Sequence, residues 1–429
     1  MKSSISRRRE IDRRTLLAEG GTFLTPLATG CVRDERRGFT ADALRELRSR
    51  LERHVEPGFA PGVVGLVAHG PFVETVTLGK MAFGAGSDMR RDAIFRIGSQ
   101  TKAVTAAAVM MLIEEGKVRL DEPVDRLLPE LANRRVLRRL DADVDDTVPA
   151  SRPLTVEDLL TFRCGLGLVL APPGRYPIQK AIADLGVFGP PNTAMPLDGD
   201  DWMRKIGSLP LVVQPGEDWL YGTGSNIQGV LVARASGQPL SRFFDERIFG
   251  PLGMKDTAFF VPPAKIDRLT HAYRSQTGAL VVSDEPATGT WSRPPTFEHG
   301  AAGLVSTVDD YLAFARMLLA DGRHRGQTLL TPASVKAMKT NHLTGSQRAG
   351  GEMILGRGRG WGYGMSVVTD AIPGQPALGS FGWIGGYGTS WISDPSKDLT
   401  MILLTQHEFS SASGDRIQEF QSDAYRALT

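Results

Sequence analysis

Apolar positions along the chain alternate between two periods, and the switches between them outline the fold. Residues 39–54 place leucines at helical spacing among charges, which predicts a surface helix. Gly62–Ala68 and Val73–Leu78 are short β-branched runs on either side of Gly70-Pro71, the pattern of a strand hairpin. Ile94–Ile97 reads as a further extended segment. From there Val104, Ala108, Met111 and Leu112 recur at helical spacing up to Glu115, and Gly116 suits a left-handed helix cap. Residues 121–293 are rich in Pro, Gly and Arg with short helical patterns, among them Thr155–Phe162, where Thr155 and Asp158 are spaced for a capping box. Strand signals return in 361–368, 380–383, 388–393 and 399–406, followed by a closing helix over 416–428.

The order is sheet, helical insertion, sheet. It predicts an α/β (α+β) fold in which a central sheet, built from both ends of the chain, is flanked by helices and carries an inserted, mainly helical lobe. The corresponding divisions are 1–38 as a leader or tail, 39–130 with 300–429 as the sheet-containing unit, and 131–299 as the lobe.

Composition adds few constraints. The 429 residues are 41% hydrophobic and 23% charged, ordinary for a chain with a sizeable core. Fifty Lys and Arg against 48 Asp and Glu leave a formal charge of +2, with five arginines crowded between positions 7 and 14. Without that segment nothing basic remains to attract nucleic acid. The paired Arg13-Arg14, the modestly apolar run to Ala28 and Cys31 read as an export signal, with Cys31 as a candidate lipid tether; a basic tail on a cytoplasmic protein is the alternative. No other stretch approaches the roughly 20 apolar residues of a membrane span. Cys31 and Cys164 are the two cysteines, and no structural disulfide is expected of them.

Candidate chemistry centres on Ser99. A serine hydroxyl needs a neighbouring base and a site that stabilises developing negative charge. At the start of a helix Ser99 has free backbone N–H groups beside it, and Lys102 is one turn away on the same face. Burial can bring a lysine into the range where it acts as a base. Ser-x-x-Lys alone is a weak motif, and a serine cap followed by an exposed lysine is its ordinary alternative.

The rest of the chain carries a resemblance. Phe95-Arg96-Ile97-Gly98-Ser99-Gln100-Thr101-Lys102 resembles the nucleophile motif of the serine β-lactamase and penicillin-binding-protein superfamily, in its class C β-lactamase-like branch. Leu154–Thr161 with Cys164-Gly165-Leu166, Pro215–Tyr221, Ile248–Thr257 and Ala302–Thr307 resemble further segments of that branch in the same order. The resemblance implies a β-lactamase/transpeptidase-like fold with a central antiparallel sheet. It implies Ser99, Lys102 and Tyr221 as catalytic, and the backbone N–H groups of Ser99 and Gly386 as an oxyanion hole. Two departures bear on substrate. The usual Tyr-x-Asn is Tyr221-Gly222-Thr223, and Lys-Thr-Gly is replaced by Trp383-Ile384-Gly385-Gly386, a pattern similar to family VIII carboxylesterases. Thr223, Trp383 and Gly385 are thus substrate-pocket candidates, with the indole as an apolar wall.

The expected reaction is hydrolysis of small-molecule carboxylic esters through a Ser99-acyl intermediate, in which Tyr221, ionised beside Lys102, accepts the Ser99 proton. A β-lactamase, D-amino-acid peptidase or acyltransferase on the same fold is the alternative, and a non-catalytic ligand-binding member a second. Gly-x-Ser-x-Gly is absent, and His299 is a structural histidine in this reading rather than a triad base. No histidine spacing suits a metal, so neither metal nor cofactor is expected. Gly356-Arg357-Gly358-Arg359-Gly360 reads as a turn.

Overall fold

A computed structural model describes residues 38–55, 59–84, 86–187 and 195–428; the leader and Cys31 lie outside the described residues. Its centre is a seven-stranded antiparallel sheet. The strands are β1 (Gly62–His69), β2 (Phe72–Gly79), β3 (Arg359–Trp361), β4 (Ser366–Val368), β5 (Phe381–Ile384), β6 (Ser390–Asp394) and β7 (Leu399–Thr405), in the spatial order β3-β4-β5-β6-β7-β1-β2. The amino-terminal hairpin is therefore joined to the carboxy-terminal strands through β1 and β7, which pair from Val63 opposite Thr405 to His69 opposite Leu399.

β1 is buried along nearly its whole length because helices cover both sheet faces. Successive side chains of a strand point to opposite faces, and the apolar residues divide accordingly. Val63, Val67, Met401 and Leu403 pack with Leu47 and Leu51 of α1 (Ala41–Glu52) and with Ile417 and Phe420 of the final helix, Ser411–Arg426. Val64, Leu66, Ile402 and Leu404 join the larger core around α2 (Thr101–Glu114) and the helix Val308–Leu319. α2 is buried on every side from Thr101 to Leu112. Its polar members satisfy themselves on backbone: Thr101 Oγ1 donates to Gly98 O at 2.7 Å and Thr105 Oγ1 to Gly300 O at 2.7 Å.

The expected capping box is present in α3 (Val156–Leu160). Thr155 accepts from the Asp158 N–H and Asp158 accepts from the Thr155 N–H, while Arg152 donates to both oxygens of Asp158. A second buried helix, α4 (Thr223–Ser236), follows Tyr221 directly. The large core continues from the sheet side into the central segment, taking in Trp202, Phe243 and Phe249. Among the described residues of 131–299 are several short helices and two small hairpins, Arg135–Leu137 with Thr147–Pro149 and Ala272–Gln276 with Ala279–Asp284. The second turns at Thr277-Gly278, both with positive φ. Its strands alternate weakly because much of their surface is exposed, which is why periodicity did not reveal them. No helix among the described residues is long and apolar enough to cross a membrane.

Candidate active site

Ser99 sits in a single 3₁₀ turn, Gly98–Gln100, that leads into α2. The turn is pressed against the end of β5. Gly98 has φ +51°, and a Cβ there would approach Gly386 N to 2.8 Å, so only glycine lets the two segments close. The backbone N–H of Gly386 consequently lies beside the Ser99 turn and has no backbone acceptor among the described residues. Ser99 and Gly386 both border one cavity.

Lys102 lies one turn along the helix, 2% exposed, with Nζ 2.9 Å from Ser99 Oγ. Its second contact is Ala301 O at 2.8 Å, and its amine sits 4.7 Å from the Tyr221 ring centroid. No carboxylate among the described residues offsets the charge, and burial pulls the ammonium from 10.5 down to about 7. Asn226 orients the Ala301 segment: its Oδ1 accepts from Ala301 N at 2.9 Å, and its amide lies 3.1 Å from His299 Nε2. His299 is held near 3 by burial and then by Lys102, which makes it a neutral histidine at physiological pH.

Tyr221 arrives from the loop before α4. The backbone of 162–168 clamps this loop, with Leu220 N donating to Phe162 O and Leu168 N to Tyr221 O, both at 2.9 Å. Phe162 adopts φ +59°, a strained state for a side-chain-bearing residue, and its ring packs edge-on to Tyr221 at 5.8 Å. Trp219, Trp361 and Trp383 complete an aromatic enclosure. That burial pushes the phenol up to about 12, opposed by hydrogen bonds from Ser99 and Trp383.

Trp383 has more than the apolar role expected of it. Its indole N–H donates to Tyr221 Oη at 2.8 Å, while the ring lines the cavity. This donor was invisible in the sequence, where position 383 registers only as an aromatic in place of a cation. Gly385 also borders the cavity, and Thr223 does not; it is buried at the start of α4 with its hydroxyl unpartnered. The cavity measures about 560 Å³. Apolar side chains dominate it, and Leu168, Met353 and Phe409 stand at its border with 50%, 82% and 49% of their surface exposed. Among the described residues no three His, Cys, Asp or Glu side chains converge as a metal site requires.

This arrangement provides a partly exposed hydroxyl, a phenol and a backbone donor that border an apolar cavity, with a buried amine of lowered basicity in contact with the hydroxyl from behind. A profile of the Beta-lactamase family matches residues 47–425. An uncharacterised protein of Mycobacterium tuberculosis is 38% identical over 362 residues, covering 82% of this chain and 87% of that protein. Esterase EstB of Burkholderia gladioli is 32% identical over 375 residues, covering 82% and 88%. Among solved structures, EstCE1, a hydrolase with promiscuous acyltransferase activity, superposes with a TM-score of 0.74 at 24% identity, covering 89% of this chain and 98% of the other.

Proposed function

The chain belongs to the Beta-lactamase family, and from that premise we propose that it is a serine hydrolase that cleaves carboxylic esters through an acyl-Ser99 intermediate. One observation carries the reading: Ser99 Oγ faces an apolar cavity with a buried, carboxylate-free lysine amine 2.9 Å away. The similarity to Esterase EstB supports the ester bond as target. Trp383 supports it further, because the stretch Trp383–Gly386 offers a β-lactam carboxylate no cation.

The lowered basicity of Lys102 and the raised pKa of the Tyr221 phenol support Lys102, rather than the expected Tyr221, as the base in this proposal. With the amine neutral, it takes the Ser99 proton as Oγ bonds to the ester carbonyl. The backbone N–H groups of Ser99 and Gly386 receive the oxyanion, a donor pair in which each member is typically worth ~10²–10³ in rate. As the C–O bond breaks, the proton on Lys102 passes to the departing alkoxide, with the neutral Tyr221 hydroxyl as relay. Water then adds to the acyl carbonyl by the same route in reverse and frees Ser99. Trp383 N–H keeps the Tyr221 oxygen in place for that relay. The paired arginines and Cys31 of segment 1–38 support export or tethering as part of the same proposal.

The test compares wild type with Ser99→Ala on a panel of nitrophenyl esters, with a chromogenic cephalosporin alongside. Ester turnover with a pre-steady-state burst, loss of both in the variant, and fluorophosphonate labelling mapped to Ser99 are expected. Labelling at another serine, or turnover that survives the substitution, would sink the assignment.

A further inference from the structure

A cation borders the cavity away from the Trp383–Gly386 stretch, too far from Ser99 to meet a carboxylate next to the scissile bond. The active-site cavity is bordered by 23 residues, among which are two arginines, Arg357 and Arg359, and no acidic side chain. Arg359 opens the edge strand β3, opposite Val368 of β4, and is partly buried. Its side chain makes a long polar contact, Nη1 to Ser366 Oγ at 3.4 Å, and Ser366 in turn donates to Gly382 O at 2.9 Å. It has no carboxylate partner among the described residues. Asp370, shortly after β4, is held by Arg348 at 2.9 Å. Burial lowers the basicity of the Arg359 guanidinium without reaching a range where it would lose its charge. The loop before it closes over its stem, since a Cβ on Gly356 would lie 3.6 Å from Arg359 Cδ.

A partly buried guanidinium with no carboxylate partner has donors left to offer an anion in the cavity. Its planar fork matches a carboxylate, which accepts two parallel hydrogen bonds. The cavity that Arg359 and Ser99 both border is lined largely by apolar residues, including Leu355, Ile384 and Trp383. Resting on the esterase reading above, we infer that the preferred substrate is an ester that also carries a carboxylate, bound by Arg359, with an apolar spacer between the carboxylate and the scissile bond. Through Ser366 the guanidinium is level with Gly382 of β5, four residues before Gly386, so roughly 13 Å lies between it and the Ser99 turn, about 10 Å of which is left for the spacer once the hydrogen bond is made. An eight-carbon diacid monoester, which spans roughly 9 Å between its carbonyl carbons, has the right length.

Two matched pairs of esters test this. In the first the carboxylate is on the acyl side: mono-p-nitrophenyl suberate against p-nitrophenyl octanoate. In the second it is on the alcohol side: 6-butyryloxyhexanoate against hexyl butyrate, followed by pH-stat. In at least one pair wild type should favour the anion in kcat/KM by about tenfold, the scale of one charge-assisted hydrogen bond. Arg359→Met should erase the preference, and Arg359→Lys should restore part of it. The lysine variant carries the comparison by itself should the methionine variant fail to fold. No preference in either pair, or a preference that survives both substitutions, overturns the inference and leaves Arg359 as a complement to the carboxyl end of the helix Gly345–Leu355. Failure of wild type to hydrolyse any of the four esters would instead overturn the esterase reading.

Discussion

The protonation of Lys102 makes the esterase mechanism quantitative. Its amine contacts Ser99 Oγ, is 2% exposed, and is drawn by burial to about 7. Only the free amine takes the Ser99 proton, so kcat/KM for a neutral ester should follow the free-amine fraction: about 1% of its plateau at pH 5, half near pH 7 and about 90% at pH 8. Stopped-flow acylation with a nitrophenyl ester over pH 5–10, at constant ionic strength, measures this directly. The same group sets a stability signature. Its folded pKa lies below its unfolded value, so between pH 7 and 10.5 the unfolded chain binds the extra proton, and stability rises with pH through that window. Below pH 7 the buried lysine costs on the order of 5 kcal/mol, from 1.36 kcal/mol per tenfold change in proton affinity. Lys102→Met should therefore be inactive, more stable than wild type at pH 6, and progressively less advantaged as pH approaches 10.5. A rate profile that climbs past pH 10 would place the base on Tyr221, whose phenol is pushed up to about 12. A flat profile from pH 5 to 8 would refute the reasoning for Lys102 altogether.

Three further outcomes follow from the geometry. Trp383→Phe keeps the aromatic surface but removes the N–H that holds Tyr221 Oη at 2.8 Å, a hydrogen bond worth about 1 kcal/mol; kcat should drop several-fold, with KM and melting temperature little changed, and an equal loss confined to KM would show the indole acting only as a wall. Gly98→Ala forces a Cβ to 2.8 Å from Gly386 N at φ +51°, so both the oxyanion donor and the turn should suffer; a loss of at least tenfold in kcat together with lowered thermal stability is expected, and wild-type behaviour would mean that the two segments separate freely. Burial pushes the Cys164 thiol up to about 12; iodoacetamide at pH 8 should leave Cys164 unmodified in the native protein and modify it after denaturation, as peptide mass mapping reports, and native labelling would refute its enclosure.

Local patterning was sufficient for features whose partners are near in sequence. The amino-terminal hairpin, α2, the Thr155–Asp158 capping box and the Ser99–Lys102 pair were all legible, because strand pleat and helical rise bring neighbours at fixed offsets together whatever surrounds them. The hairpin at 272–284 was not, since its exposed strands lack the alternation that burial imposes.

Distances between remote segments belong to the tertiary structure. Position 383 registered in the sequence as an aromatic, but its hydrogen bond to Tyr221 depends on the register of β5 and on the clamp around residues 162–168. The same holds for Ala301 as the second acceptor of Lys102, for the absence of Thr223 from the cavity and for the placement of Arg359, in a segment that reads as a turn, along the substrate cleft. Acid strength is decided at this level too. A lysine at position 102 is an ordinary ammonium in the unfolded chain, and its amine is drawn to about 7 only because a helix buried on all sides removes it from water.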